Sequence, residues 1–325
     1  MSAFDVLELR RRLADPWASG DPGPTALSQV VDDSYTLARR AYEQGDAAAR
    51  HEAENLLYAM NIASCFAPPL DPRAALAWTV LVREKLAALR RELGGCEPLD
   101  EAEMRRRLLA AVEKWGAYNH PVMKVLGETP HDLAAYRIWA KNWFGSCVGF
   151  SAQLAALVQR TSGHAKRVVL ENLADEFDHR VTHDTLRIRF YESLDLRFSV
   201  IDAPDDPDRV LEATELLNAR TALSFLHDPV WALGCFYGVE ANWPPECRLH
   251  LAINRARGAD EHVLEYWTSH ATADDHHSAE WLAALEQLCT TPERRGAAVE
   301  GAVIQLRLRW KMYDAIARRI AKGSA

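Results

Sequence analysis

Apolar residues recur at intervals of three and four through most of the chain, while strict alternation is scarce, so the pattern predicts helix after helix. Leu76, Val80, Leu81 and Leu86 share one face, with Arg83, Lys85 and Arg90 on others, as expected of an amphipathic helix. The best strand candidate, LRIRFYESLDLRFSVI, continues a helical stretch and then runs into a loop. Three helix starts show a capping residue followed by proline, at Thr129-Pro130, Asp228-Pro229 and Thr291-Pro292. Loops are expected at 15–24, 67–72, 94–98 and 202–207, and at Pro244-Pro245. The expected class is all-α, in two parts. Residues 1–114 form amphipathic helices with few histidines, read as an accessory or dimerisation region. Residues 115–325 form longer helices in which polar residues interrupt apolar faces.

Composition narrows the function. A chain of 325 residues can bury a large core, and 48% hydrophobic against 26% charged residues exclude wholesale disorder. The net charge of -8 argues against a broad nucleic-acid surface. No apolar run approaches the roughly 18 residues of a membrane span, and the N-terminus lacks the apolar segment of a signal peptide. The six cysteines are scattered without a CxxC, which suggests reduced thiols in a cytoplasmic protein.

The chemistry lies in polar residues on inward faces. In HVLEYWTSHATADDHHSAEWLAAL, helical spacing aligns Val263, Trp267, His270, Asp274, His277, Trp281 and Leu285. The apolar members turn this stripe inward, so His270, Asp274 and His277 face inward too. A carboxylate buried beside two imidazoles needs a charged partner, and a divalent metal supplies one. The competing reading is a solvated polar face, which fits Asp275 and His276. In the preceding region, Val169, Leu173, Glu176, His183, Leu186 and Phe190 lie close to one face, with Glu176 and His183 seven residues apart on a single helix. His179 competes as a ligand, and pairing of Glu176 with Arg180 is the alternative to metal binding. Glu240 is the only acid in the apolar helix from Pro229 to Trp243, where it must be protonated, paired or metal-bound. Six such groups suit two iron ions better than one, and the single Glu-x-x-His departs from the ferritin-like template.

Together these residues resemble the haem-oxygenase-like diiron oxidases, relatives of the TenA and PqqC proteins by fold. The resemblance covers about 115–290. It runs through AYNHPVMKVL, ENLADE with its following histidine, GVEANWPPE, and the His-x3-Asp-x2-His of HATADDHH. It implies a haem-oxygenase-like helical bundle with an N-terminal helical extension. It also implies that Glu176, His183, Glu240, His270, Asp274 and His277 ligate two Fe(II)/Fe(III) ions, with O2 as co-substrate. Many family members have two glycines after the acidic pair and a more distant histidine. Here FDHRVT intervenes, which keeps His179 as an alternative ligand.

The activity implied is O2-dependent oxidation of a small amino-acid-derived or carboxylate substrate in specialised-metabolite biosynthesis, by desaturation, decarboxylation or fragmentation. A homodimer and an external electron donor belong to the same expectation. N-oxygenating members add a carboxylate from the first core helix, whereas 133–170 contains no Asp or Glu. An amine N-oxygenase is therefore the alternative within the family. A metal-free TenA/PqqC-like binding protein or a cofactor-free oxidase is the alternative outside it. Lys124, Arg187, Tyr191 and Tyr237 are candidate substrate contacts, and Trp139, Trp143 and Phe144 are expected core residues.

Overall fold

The computed structural model describes residues 24–66, 72–95, 97–177, 181–197, 206–226 and 228–323. Every regular element among them is helical: α1 (Pro24–Tyr42), α2 (Ala47–Phe66), α3 (Pro72–Leu93), α4 (Glu101–Trp115), α5 (Pro121–Glu128), α6 (Leu133–Ser146), α7 (Phe150–Val158), α8 (Gly163–Asp175), α9 (His183–Glu192), α10 (Leu211–Phe225), α11 (Val230–Ala256), α12 (Glu265–Leu288) and α13 (Pro292–Gly323). None is long and apolar enough to cross a membrane.

The fold is built around α11, which packs along both α12 and α13. Its crossing with α13 depends on two glycines. A Cβ on Gly234 would lie 2.0 Å from the Ala298 carbonyl oxygen, and one on Gly301 would lie 2.0 Å from that of Trp231. The helices can approach this closely only because both side chains are absent. From Ala213 to Ser224 every residue of α10 is buried, because α10 lies against α2, α6, α7 and α13. The N-terminal helices join the same core: α2 and α3 rest on α10, and Leu57 and Leu81 belong to one apolar cluster with Leu223 and Leu285.

Most local signals act as the sequence predicts, with two corrections. Pro292 opens α13, and the Asp228 carboxylate accepts the Val230 N–H (3.0 Å) at the start of α11. Thr129-Pro130, by contrast, starts no helix. Thr129 ends α5, and Asp132 caps α6 by accepting the Ala135 N–H at 3.0 Å. Asp132 is the better acceptor and sits where α6 can begin directly. The Pro244-Pro245 loop is also absent, since α11 runs through both prolines. Neither residue can donate, so the helical ladder does not satisfy the carbonyls of Glu240 and Ala241. Enclosure by α12 and α13 keeps the helix continuous across this defect.

Candidate metal centre

The centre forms where α8, α9, α11 and α12 meet. Sequence spacing places Glu176 and His183 on one helix, but the structure divides it. Thr182 caps a new helix by accepting the Thr185 N–H (3.3 Å), and Asp184 supports its first turn. Glu176 therefore ends α8 and His183 opens α9, with the His183 N–H donating to the Glu176 carbonyl at 3.2 Å. The two side chains still converge, with His183 Nδ1 3.1 Å from Glu176 Oε1. The Ser151 hydroxyl approaches the other oxygen at 3.4 Å.

α12 delivers His270 to the same point. Its ring centre is 4.4 Å from that of His183, and ligand atoms of Glu176, His183 and His270 all lie within 4.8 Å of one another. All three residues are buried. His270 Nδ1 donates to the Tyr266 carbonyl (2.7 Å), one turn back on its own helix, which leaves the Nε2 lone pair for a ligand. Burial and then the neighbouring His183 push the His270 pKa well below that of an ordinary imidazole, so it is held in the neutral, metal-binding form.

Glu240 and His277 line the same cavity. His277 Nδ1 is 3.6 Å from Glu240 Oε2 and 3.4 Å from the Asn172 amide nitrogen. On its other side, Nε2 meets Asp175 at 2.7 Å. A carboxylate holding the far nitrogen of a histidine is the usual device for fixing a metal-binding tautomer. Asp274 lies on α12, but its side chain is outside the described residues, as is His179 altogether. The cavity offers about 40 Å³ to water-sized occupants, enough for a few small ions or waters. Two imidazoles and a carboxylate within reach of one point are a donor set that fits non-haem iron.

Of the candidate substrate contacts, Arg187 lines this cavity, 3.8 Å from Glu176 and in contact with Asp184. Burial opposes its charge, but Asp184, Tyr266 and Glu176 raise its pKa above the ordinary guanidinium value. The other three do not line it. Lys124 is 77% exposed and faces Glu128 (3.7 Å), because α5 buries Val122, Met123 and Leu126 instead. Tyr191 packs on Phe144, with 4.8 Å between ring centres. Tyr237 lies beside Arg105 and Glu286, its pKa pushed up to about 12 by burial.

Sequence reasoning missed Asp175, Asn172, Arg220 and Arg309, all of which face the cavity. A charge in the apolar run of LLNARTALSFL was a usable signal for Arg220. Its hydrogen bonds go to neutral acceptors, Gln153 Oε1 at 2.7 Å and the Ser146 carbonyl. Burial lowers its pKa.

No curated protein matches the chain. Among solved structures, it is similar to a domain of unknown function with a heme oxygenase-like fold from Shewanella denitrificans OS217. The TM-score is 0.56 at 15% identity, over 70% of this chain and 96% of that one. Residues 137–310, more than half of the chain, match the family model described as iron-containing redox enzyme. The protein therefore belongs to the iron-containing redox enzyme family, with a haem-oxygenase-like fold and the buried carboxylate and imidazole groups that iron would take.

Proposed function

We propose that the chain is a non-haem diiron oxidoreductase that uses O2 to oxidise a small carboxylate or amino-acid-derived substrate by C–H or C–C cleavage. The observation that carries this reading is the convergence of buried Glu176, His183 and His270, with Glu240 and His277 on the same cavity wall. These five residues, with Asp274, would hold two iron ions. The bound irons would supply the electrons that activate O2 and the oxidising power for bond cleavage.

The chain's own groups do the rest. The Tyr266 carbonyl holds the proton on His270 Nδ1, and Asp175 holds the one on His277 Nε2. Phe150, Val239 and Trp243 give the cavity apolar walls that limit water. Arg220 supports an anionic substrate. It is a buried cation at the cavity whose described hydrogen-bond partners are all neutral, so a substrate carboxylate would complete its pairing. The same positive charge weighs against an amine substrate, as does the lack of any carboxylate on α6 and α7.

The test is anaerobic Fe(II) titration followed by O2, monitored by optical absorption and Mössbauer spectroscopy. Two irons per chain, with uptake impaired in Asp274→Ala, is the expected result. No uptake, or a single iron indifferent to that substitution, would overturn the proposal.

A further inference from the structure

A ladder of aromatic rings leads away from the metal centre. Tyr266 is its first rung, 4.2 Å from the His270 ring and on the cavity wall. Trp143 and Trp267 follow at 5.6 and 5.2 Å from Tyr266, and at 4.9 Å from each other. Trp139 stacks on Trp143 at 5.4 Å with planes 8° apart, and Tyr136 follows at 5.2 Å. Half-buried Arg257 covers the Tyr136 ring at 4.5 Å, at the edge of the core. Core packing alone explains large buried rings. It does not explain how the far end of this ladder is wired.

The hydrogen bonds at Tyr136 can be assigned from the partners. Asn254 uses its amide nitrogen to donate to the His250 carbonyl (2.7 Å) and to the Tyr136 oxygen (2.7 Å), while its oxygen accepts from Arg257 (3.1 Å). Tyr136 thus receives one hydrogen bond, and its own proton points to His250 Nδ1 at 2.9 Å. His250 is fully buried, and burial lowers its pKa, so its Nδ1 is a free base and its hydrogen is on Nε2. That Nε2 faces the Glu246 carboxylate at 3.8 Å. Tyrosine, imidazole and carboxylate are therefore arranged for the tyrosine to lose a proton inward. The indoles between differ: among the described residues, the Trp143 and Trp267 N–H groups meet no acceptor to take a proton.

We propose that this ladder is a one-electron conduit from the metal centre, ending in Tyr136 as a redox-active residue with His250 as its proton acceptor. An indole oxidised by one electron and unable to deprotonate remains a strong oxidant and passes the deficit on. Trp139 takes an electron from Tyr136, and the phenolic proton moves to His250 Nδ1. The products are a neutral phenoxyl radical and an imidazolium facing Glu246. Arg257 over the ring disfavours a tyrosine cation, so electron loss and proton loss occur together. Iron held by Glu176, His183 and His270 would supply the initial one-electron oxidant once oxidised by O2, so the proposal rests on the metal reading above. Its use is to carry oxidising equivalents out of the cavity when no substrate is present to consume them.

The experiment has two arms on the full chain. In the first, Fe(II)-loaded protein containing ring-deuterated tyrosine is mixed with O2 without substrate, freeze-quenched and read by electron paramagnetic resonance. In the second, metal-free protein is flash-photolysed to ionise its indoles, and decay of tryptophan radical into tyrosyl radical is followed optically. The expected result is a tyrosyl signal that is lost in Tyr136→Phe and in Trp139→Phe. In His250→Phe it gives way to a persistent tryptophan radical. Trp281→Phe, a buried indole off the ladder, should leave it unchanged, which separates the conduit from loss of core packing. Melting curves identify any variant that has not folded. An undiminished tyrosyl signal in folded Tyr136→Phe in both arms overturns the conduit. Failure of iron uptake with a Tyr136-dependent flash signal overturns the metal reading alone.

Discussion

Two buried carboxylate–imidazole clusters flank one stretch of α11, and they differ in how their charges are balanced. Around Glu246 the balance is complete. Its carboxylate accepts from Arg309 at 2.8 Å, from the Asn242 amide at 2.9 Å and from the Tyr313 hydroxyl, with His250 at 3.8 Å. Burial works to raise the Glu246 pKa, but Arg309, then His250 and Tyr313, outweigh it and hold the group at about 2. Around Glu240 and Glu176 the balance is partial. Glu240 meets His277 at 3.6 Å, and Glu176 meets His183 at 3.1 Å and Arg187 at 3.8 Å, but Arg187 is also engaged by Asp184. The lesson is that buried carboxylates and imidazoles do not by themselves mark a metal site. A protein cation locked onto the carboxylate marks a structural network. Imidazoles and carboxylates converging on a shared cavity mark a site that an external cation would complete.

Glu246→Ala should have the largest effect on the fold. It strands Arg309, which is 4% exposed, and should cost about 3–5 kcal/mol of stability in denaturant unfolding of the metal-free protein. Acid should act on the same group. The folded pKa of about 2 lies below the ordinary 4.5, so the stabilisation is full above pH 4.5 and is lost as pH falls towards 2. Linkage puts this loss at about 3 kcal/mol. Unfolding curves across that window should show it for the wild type and lack it for Glu246→Gln.

The α12 stripe was legible because the helix is unbroken: Trp267, His270, Trp281 and Leu285 are all buried on one side of it. Periodicity misread 169–190 because it carries no information about a chain that stops and restarts. Only the Thr182 cap and Asp184 announce the second start. Pro244-Pro245 misled for the opposite reason, since local chemistry says stop while the surrounding helices keep α11 in place. Asp175 and Arg309 were illegible because each lies beside other charged residues, so nothing local separates a cavity-facing charge from a solvated one. Knowing which helices meet there resolves them.

Asp175 provides a smaller test. Among the described residues it touches the ligand cluster through His277 Nε2, at 2.7 Å, so it is a positioning residue. Asp175→Ala should leave the fold intact and weaken Fe(II) binding by about 10–100-fold, the range for losing the partner of a metal-bound histidine. Fe(II) titration measures it directly, and an unchanged affinity would place His277 outside the metal's reach.

The smallest expected change is the most informative when set beside Glu246→Ala. Glu176 is 7% exposed, nearly as buried as Glu246, and the truncation to alanine is the same. If burial alone governed the outcome, both variants would be crippled. Among the described residues, however, removing Glu176 strands no fixed cation. Arg187 keeps Asp184. Glu176→Ala should therefore shift the stability of metal-free protein by no more than about 1 kcal/mol, in either direction, as is common where a site serves function at the expense of stability. The same variant should lose Fe(II) uptake at the cluster. A large loss of stability with iron uptake intact would make Glu176 part of a structural network like that of Glu246, and would remove the distinction between the two clusters.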